Sequence, residues 1–282
     1  MLSWVLLTLF YGLMKGGREI VKKKALEIST VIEVLFFYTL IGFLMLLWDA
    51  GNAFSVRVDR LPLIVFKSFV IFVAWICGFK AIKSIPLGLY GLLDVSRMLF
   101  ATMLGVIIIG ERPGAFQIAG NVIVALGLLM LSFRKKKGNK EEYKPHYVLL
   151  AFISAFLNAV SGTLDKILTR DVTSGQLQFW YMLFLLIFYG IYLMFDRTKA
   201  DVKKTLKNYW IWILSIMFIL ADRALFMANA IPESKVTVMT VLKQSSVIVT
   251  ILAGRIIFKE KGLAYKLLCA GVVLAGIIVS VL

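Results

Sequence analysis

Residues 87–131 read LGLYGLLDVSRMLFATMLGVIIIGERPGAFQIAGNVIVALGLLML, and residues 236–282 read VTVMTVLKQSSVIVTILAGRIIFKEKGLAYKLLCAGVVLAGIIVSVL. Both follow one plan: an apolar run, a short turn holding a glutamate, and a second apolar run spaced by glycines. Glu111 precedes Glu260 by 149 residues, and the same offset relates Phe116 to Tyr265 and Gly127 to Gly276. Upstream, Ile85-Pro86 answers Ile231-Pro232. A duplicated set of membrane helices is the sequence mark of a secondary carrier built from internal repeats.

The composition agrees. Hydrophobic residues make up 60% of the chain and charged residues 17%, against about 25% charged in soluble proteins. Mean hydropathy is +0.88. Only lipid can cover that much apolar surface, so the reading is an all-α integral membrane protein with the bilayer as its first partner. Cys77, Cys269 and the single histidine, His146, are too few and too scattered for a metal or haem centre, and no cofactor is expected. The net charge of +16 is the size seen in nucleic-acid binders. Here the basic residues fall in short loops between apolar runs, where they set orientation and meet anionic lipid, so no nucleic-acid partner is expected. The apolar stretch at residues 2–14 has its positive charges on the far side and no small-residue cleavage site. It is read as a retained first helix.

Apolar runs bounded by charge, proline or glycine predict ten transmembrane helices, near 2–23, 30–48, 61–83, 87–109, 113–133, 146–169, 176–195, 208–230, 235–258 and 262–281. The charged segment 134–145 divides them five and five, giving one repeat over 1–133 and another over 146–282. Five is odd, so the second repeat must enter the membrane from the opposite side, and the two five-helix repeats are inverted. Loops after odd-numbered helices carry eighteen Lys and Arg; loops after even-numbered helices carry six. The positive-inside rule then puts the linker in the cytoplasm and both termini outside a cell membrane.

At these residues the chain resembles the drug/metabolite transporter superfamily, in its EamA-like ten-helix branch. Gly110 and Glu111 match the family's "GE" turn, and Gly120 and Gly127 its spaced glycines. In the second copy Glu260 and Gly276 match, while Lys259 stands where the family usually has glycine. The resemblance implies an alternating-access carrier with a central cavity between its halves.

Charges deep in membrane helices cost roughly 2.5–3.5 kcal/mol each on insertion scales, so each needs a partner or a cavity. The fourth segment carries Tyr90, Asp94 and Arg97 on one face. The ninth carries Thr240, Lys243, Gln244, Ser245 and Ser246, and Lys243 is the repeat counterpart of Asp94. Two equivalent helices thus bring polar clusters to one depth, with Arg97 and Lys243 suited to a carboxylate or phosphate. The plainer reading is an Asp94–Arg97 pair within the helix and a structural Lys243. Asp222 and Arg223 in the eighth segment serve either an interhelix ion pair or the substrate. Asp94, Asp165 and Asp222 are candidates for proton coupling.

In the first segment Gly16-Gly17 is a place where the helix could loosen, Lys15 is open between cavity and surface, and Arg18 is expected to reach the cytoplasmic surface with Lys22–Lys24. Glu33 is read as reaching the interface. Glu111 and Glu260 are read as complementing the dipole of the helix that follows each. No nucleophile elbow, HExxH pair or Walker loop is present, so no enzyme activity is expected and energy would come from a gradient or exchange. The sequence points to a secondary transporter of a small polar metabolite, anionic or zwitterionic, with protons or a counter-substrate as coupling partner and a monomer sufficient. A flippase for a lipid or lipid-linked glycan and a non-transporting scaffold stand as alternatives.

Overall fold

The structure is a computed structural model and describes residues 2–110, 112–132, 144–195, 201–231, 239, 242–243, 245–260 and 263–280. Most of the linker, Glu111 and Gln244 fall outside them. Among the described residues the chain is all-helical. The principal helices are α1 (Leu2–Ile28), α2 (Val31–Leu44), α3 (Leu61–Ser84), α4 (Leu87–Asp94), α5 (Ser96–Leu104), α6 (Ala115–Ser132), α7 (Pro145–Leu168), α8 (Ser174–Phe195), α9 (Tyr209–Ala230), α10 (Ser245–Ile256) and α11 (Leu263–Val279). Among the described residues five stretches are long and apolar enough to cross a membrane: Val58–Ser84, Leu87–Ile108, Pro145–Leu168, Ser174–Phe195 and Tyr209–Ala228. Shorter apolar helices lie at Val31–Leu44, Ala115–Met130, Ser246–Ile256 and Tyr265–Val279.

Local chemistry sets the boundaries. Proline occupies the first turn of α3 and of α7, where its missing N–H costs nothing. Ile85, extended ahead of Pro86, ends α3, and Pro86 opens α4. Thr30 and Glu33 form a reciprocal capping box on α2, and the second oxygen of Glu33 accepts from Asp201 N at 2.9 Å. Glu33 is therefore buried and ties a loop to the helix, in place of the expected reach to the interface.

The loosening that Gly16-Gly17 could allow in the first helix does not occur. α1 runs unbroken, because Gly16 and Gly17 serve close packing: a Cβ on Gly16 would stand 2.6 Å from Val249, and one on Gly17 2.7 Å from Met217. The interruption lies in the fourth segment, where Val95 separates α4 from α5 directly after Asp94. That segment ends in a π-helical turn, Gly105–Ile109, closed by Gly110 at φ 76°. Lys259, its repeat counterpart, takes the same left-handed conformation at φ 50°. The turn geometry survives the loss of glycine, at a steric cost of about 1–2 kcal/mol.

The most extensive helix contacts all join the two halves. α1 lies on α9 and α10; α7 lies on α3, α4 and α5; α6 crosses α11, α2 crosses α8, and α4 crosses α10. Under the duplication these are equivalent contacts made twice, or contacts across the symmetry axis. Glycine permits the closest ones. A Cβ on Gly276 would stand 2.7 Å from Gly120 O and from Val124 N. Large apolar side chains such as Leu13, Phe66, Phe69, Leu126, Leu149 and Leu220 face outward, as on a lipid-facing surface.

Candidate functional site

α1, α3, α4, α7 and α9 surround a cavity of about 120 Å³ between the halves, with single residues added from α2, α5 and α8. Its walls obey the duplication closely. Five positions on α3 line it, Lys67, Ile71, Trp75, Gly78 and Phe79, and the five on α9 are Leu214, Phe218, Asp222, Leu225 and Phe226. Each pair is 147 residues apart. Tyr38 of α2, in the string FFYTL, matches Tyr181 of α8, in FWYML. On the first helix of each half, Lys15 and Glu19 answer Ser161 and Asp165. Tyr38 packs on Trp75 and Phe79 with ring centroids 5.8 and 5.9 Å away. Its counterpart Tyr181 meets the counterparts of those residues, Asp222 and Phe226. The scaffold is two-fold, and the chemistry hung on it is not.

Nine charged side chains line the cavity among the described residues: Lys15, Arg18, Glu19, Lys22, Lys67, Asp94, Arg97, Asp165 and Asp222. Four ion pairs form. Lys15 meets Asp94 at 2.6 Å, Arg18 meets Asp222 at 3.1 Å, Lys22 meets Glu19 at 2.8 Å and Lys67 meets Asp165 at 3.1 Å. Asp222 also accepts from the Tyr181 hydroxyl at 2.8 Å. Aromatic faces stabilise the cations further: Lys67 stands 3.9 Å from the Tyr181 ring centroid, Lys22 4.6 Å from that of Phe79, and Arg18 5.2 Å from that of Phe218. All four lining carboxylates are consumed, and Arg97 is the cation left over. Its guanidinium makes no hydrogen bond or ion pair among the described residues.

Of the residues singled out from sequence, Tyr90, Asp94, Arg97, Asp165 and Asp222 are brought together here. The Tyr90 hydroxyl is hydrogen-bonded to the Ser154 side chain. Asp94 pairs with Lys15 across helices, not with Arg97 along its own helix. Lys243 is half-buried and lies 6.0 Å from the ring of Tyr11, a lining residue. Ser245 opens α10, and Gln244 falls outside the described residues. Arg223 does not line the cavity: a helical step of about 100° from Asp222 turns it away, and its guanidinium stands 5.6 Å from the Trp48 ring.

Arg18 corrects an expectation. It is buried and pairs with Asp222, and its guanidinium carbon stands 5.5 and 5.2 Å from the ring centroids of Tyr11 and Phe218. Lys67 was not singled out at all, although a lysine within the apolar run IVFKSFVIF carried the signal, and it is 2% exposed. Glu260 also differs from expectation. Its carboxylate accepts from the backbone N–H of Leu87 and Gly88, so it caps α4 of the other half and not the helix that follows it. Lys23 and Lys266 flank it at 3.7 and 3.2 Å.

The family model of the EamA-like transporters matches residues 2–133 and matches again over residues 146–282. The chain belongs to the EamA-like transporter family. It is thus a multi-pass membrane transporter of the drug/metabolite type, a family of transporters and not of enzymes. Twenty-seven solved chains match it. One, a protein known from its crystal structure, is superposed with a TM-score of 0.66 at 16% identity, over 98% of this chain and 96% of its own. That likeness concerns the fold alone. No curated protein matches the chain in sequence.

Proposed function

We propose that this EamA-like protein is a secondary transporter of a small polar metabolite bearing an anionic group, alone or as a zwitterion, held in the central cavity. The observation that carries the reading is the unmatched Arg97 among four closed ion pairs. A guanidinium there favours a carboxylate or phosphate, which it can meet with two parallel hydrogen bonds. Lys243, on the matching helix of the other half, adds positive potential from the side of Tyr11. Asp94 and Asp222 act as counter-ions of Lys15 and Arg18. Proton coupling would run through Asp94, Asp165 or Asp222, each held by a cation that a bound anion competes for.

In this reading ten helices span the cell membrane as two inverted five-helix repeats, 1–133 and 146–282, with the linker inside and both termini outside. One chain suffices, since both halves of the cavity belong to it. The halves rock about the bound substrate to expose it to each side in turn.

The test is uptake into proteoliposomes of labelled amino acids, organic acids and sugar phosphates by wild type, Arg97→Gln and Lys243→Gln. Saturable uptake by wild type, lost in Arg97→Gln protein that still folds, is expected. Uptake untouched by either change would sink the anion site. If wild type moves nothing on the panel, lipid or lipid-linked glycan flipping in the same vesicles is the next assay.

A further inference from the structure

Helical hydroxyls in this protein bond back to the preceding turn with regularity. Ser68 donates to Ile64 O, Thr163 to Ala159 O, Thr169 to Asp165 O, Ser215 to Ile211 O and Thr250 to Val247 O. Ser161 breaks the pattern, as do Thr39 and Thr205, and of the three Ser161 lines the cavity. It is 1% exposed, and its hydroxyl has no partner among the described residues. A buried hydroxyl left unpaired bears its desolvation cost with no hydrogen bond to offset it, so Ser161 is a group awaiting a partner.

Two charged groups stand beside it. Gly162 follows Ser161, and a Cβ built there would lie 3.8 Å from Arg97 Nη2. The uncommitted guanidinium therefore rests against the same turn of α7. Asp165 is one turn further on. It is the most open of the four lining carboxylates, with 21% of its side chain exposed against 17% for Asp94, 15% for Asp222 and 12% for Glu19. Among the described residues its one ion pair is with Lys67, whereas Asp222 has two partners and both oxygens of Glu19 meet Lys22.

We propose that Arg97, Ser161 and Asp165 form one subsite for a carboxylate whose adjacent carbon carries a hydrogen-bond donor, as in an α-amino or α-hydroxy acid. This rests on the proposed function and sharpens it. Arg97 takes the carboxylate, and Ser161 and Asp165 accept from the neighbouring ammonium or hydroxyl. The Ser161 oxygen has a free lone pair, and so accepts from either donor type. A plain carboxylic acid would satisfy Arg97 and leave the other two groups unpaired. A phosphate ester would set its charge against Asp165.

The test is thermal unfolding of the purified full chain in detergent, titrated with nine compounds in three matched sets. These are L-alanine, L-lactate and propionate; L-glutamate, L-2-hydroxyglutarate and glutarate; and L-phenylalanine, L-phenyllactate and phenylpropionate. In at least one set the amino or hydroxy acid is expected to stabilise at a concentration about ten-fold or more below that of the plain acid, the worth of one good hydrogen bond. Ser161→Ala removes one atom from a packed helix and should erase that preference while leaving the plain acid's binding. Asp165→Asn should do the same, and the order of amino and hydroxy acids names the donor. Plain acids binding equally in every set, a preference that survives Ser161→Ala, or no stabilisation by any of the nine would each overturn the proposal. Equal binding of plain acids that is lost in Arg97→Gln would leave the anion site standing and remove only the donor subsite.

Discussion

Two glycines on α11, five residues apart, should respond to the same substitution with opposite sign. Gly276 faces α6, where a new Cβ would stand 2.7 Å from Gly120 O and 2.7 Å from Val124 N. Both are backbone atoms, so no side chain can swing aside. Restoring an ordinary contact near 3.4 Å requires the helices to part by about 0.7 Å, a gap that forfeits a quarter to a half of the dispersion energy at the crossing. Overpacking of this kind costs about 1–3 kcal/mol. Gly271 has nothing within 4 Å of its Cβ position. Each Gly→Ala change gains up to about 1 kcal/mol of helix propensity. That gain cancels between the two variants, so their difference isolates the crossing: about 1–3 kcal/mol, or roughly 2–10 °C in unfolding midpoint. The assay is thermal unfolding in one detergent, with Gly271→Ala at or above wild type and Gly276→Ala below it. Equal shifts in the two variants would mean that α6 and α11 are not in backbone contact, and the packing argument would fail.

Lys259→Gly should raise stability by about 1 kcal/mol, since it relieves a left-handed backbone that its repeat counterpart Gly110 adopts freely; the check is the unfolding midpoint, with Gly110→Ala moving it the other way. Asp222→Asn should cost about 3–5 kcal/mol by leaving Arg18 buried without its counter-ion, and the double change Asp222→Asn with Arg18→Gln should recover much of that; additive losses in the double-mutant cycle would refute a direct pair. Glu260→Ala should destabilise by about 1–3 kcal/mol, because it frees the N–H groups of Leu87 and Gly88 and leaves Lys23 and Lys266 without its carboxylate; Glu260→Gln, which keeps an acceptor, should lose less in the same melt.

The sequence by itself determined the helical membrane class and the duplication, because both are written in local pattern: apolar runs the width of a bilayer, prolines at helix starts, and the repeated glutamate turn at residues 111 and 260. It also located Tyr90, Asp94, Arg97, Asp165 and Asp222, since an ionisable residue deep in an apolar run announces itself. Only the tertiary structure decided the partners. Lys15 is 79 residues from Asp94, Lys67 is 98 from Asp165, and Arg18 is 204 from Asp222. Two of these pairs, Arg18–Asp222 and Lys67–Asp165, cross between the halves because the helices interleave across the duplication, while Lys15–Asp94 closes within the first half. Side-chain direction was hidden for the same reason. Asp222 and Arg223 are neighbours in sequence, and only the packing of α9 against α1 and α8 sends one into the cavity and the other towards Trp48. A periodic pattern records how much apolar surface a helix must bury, while the choice of which helix buries it depends on contacts that span the whole chain.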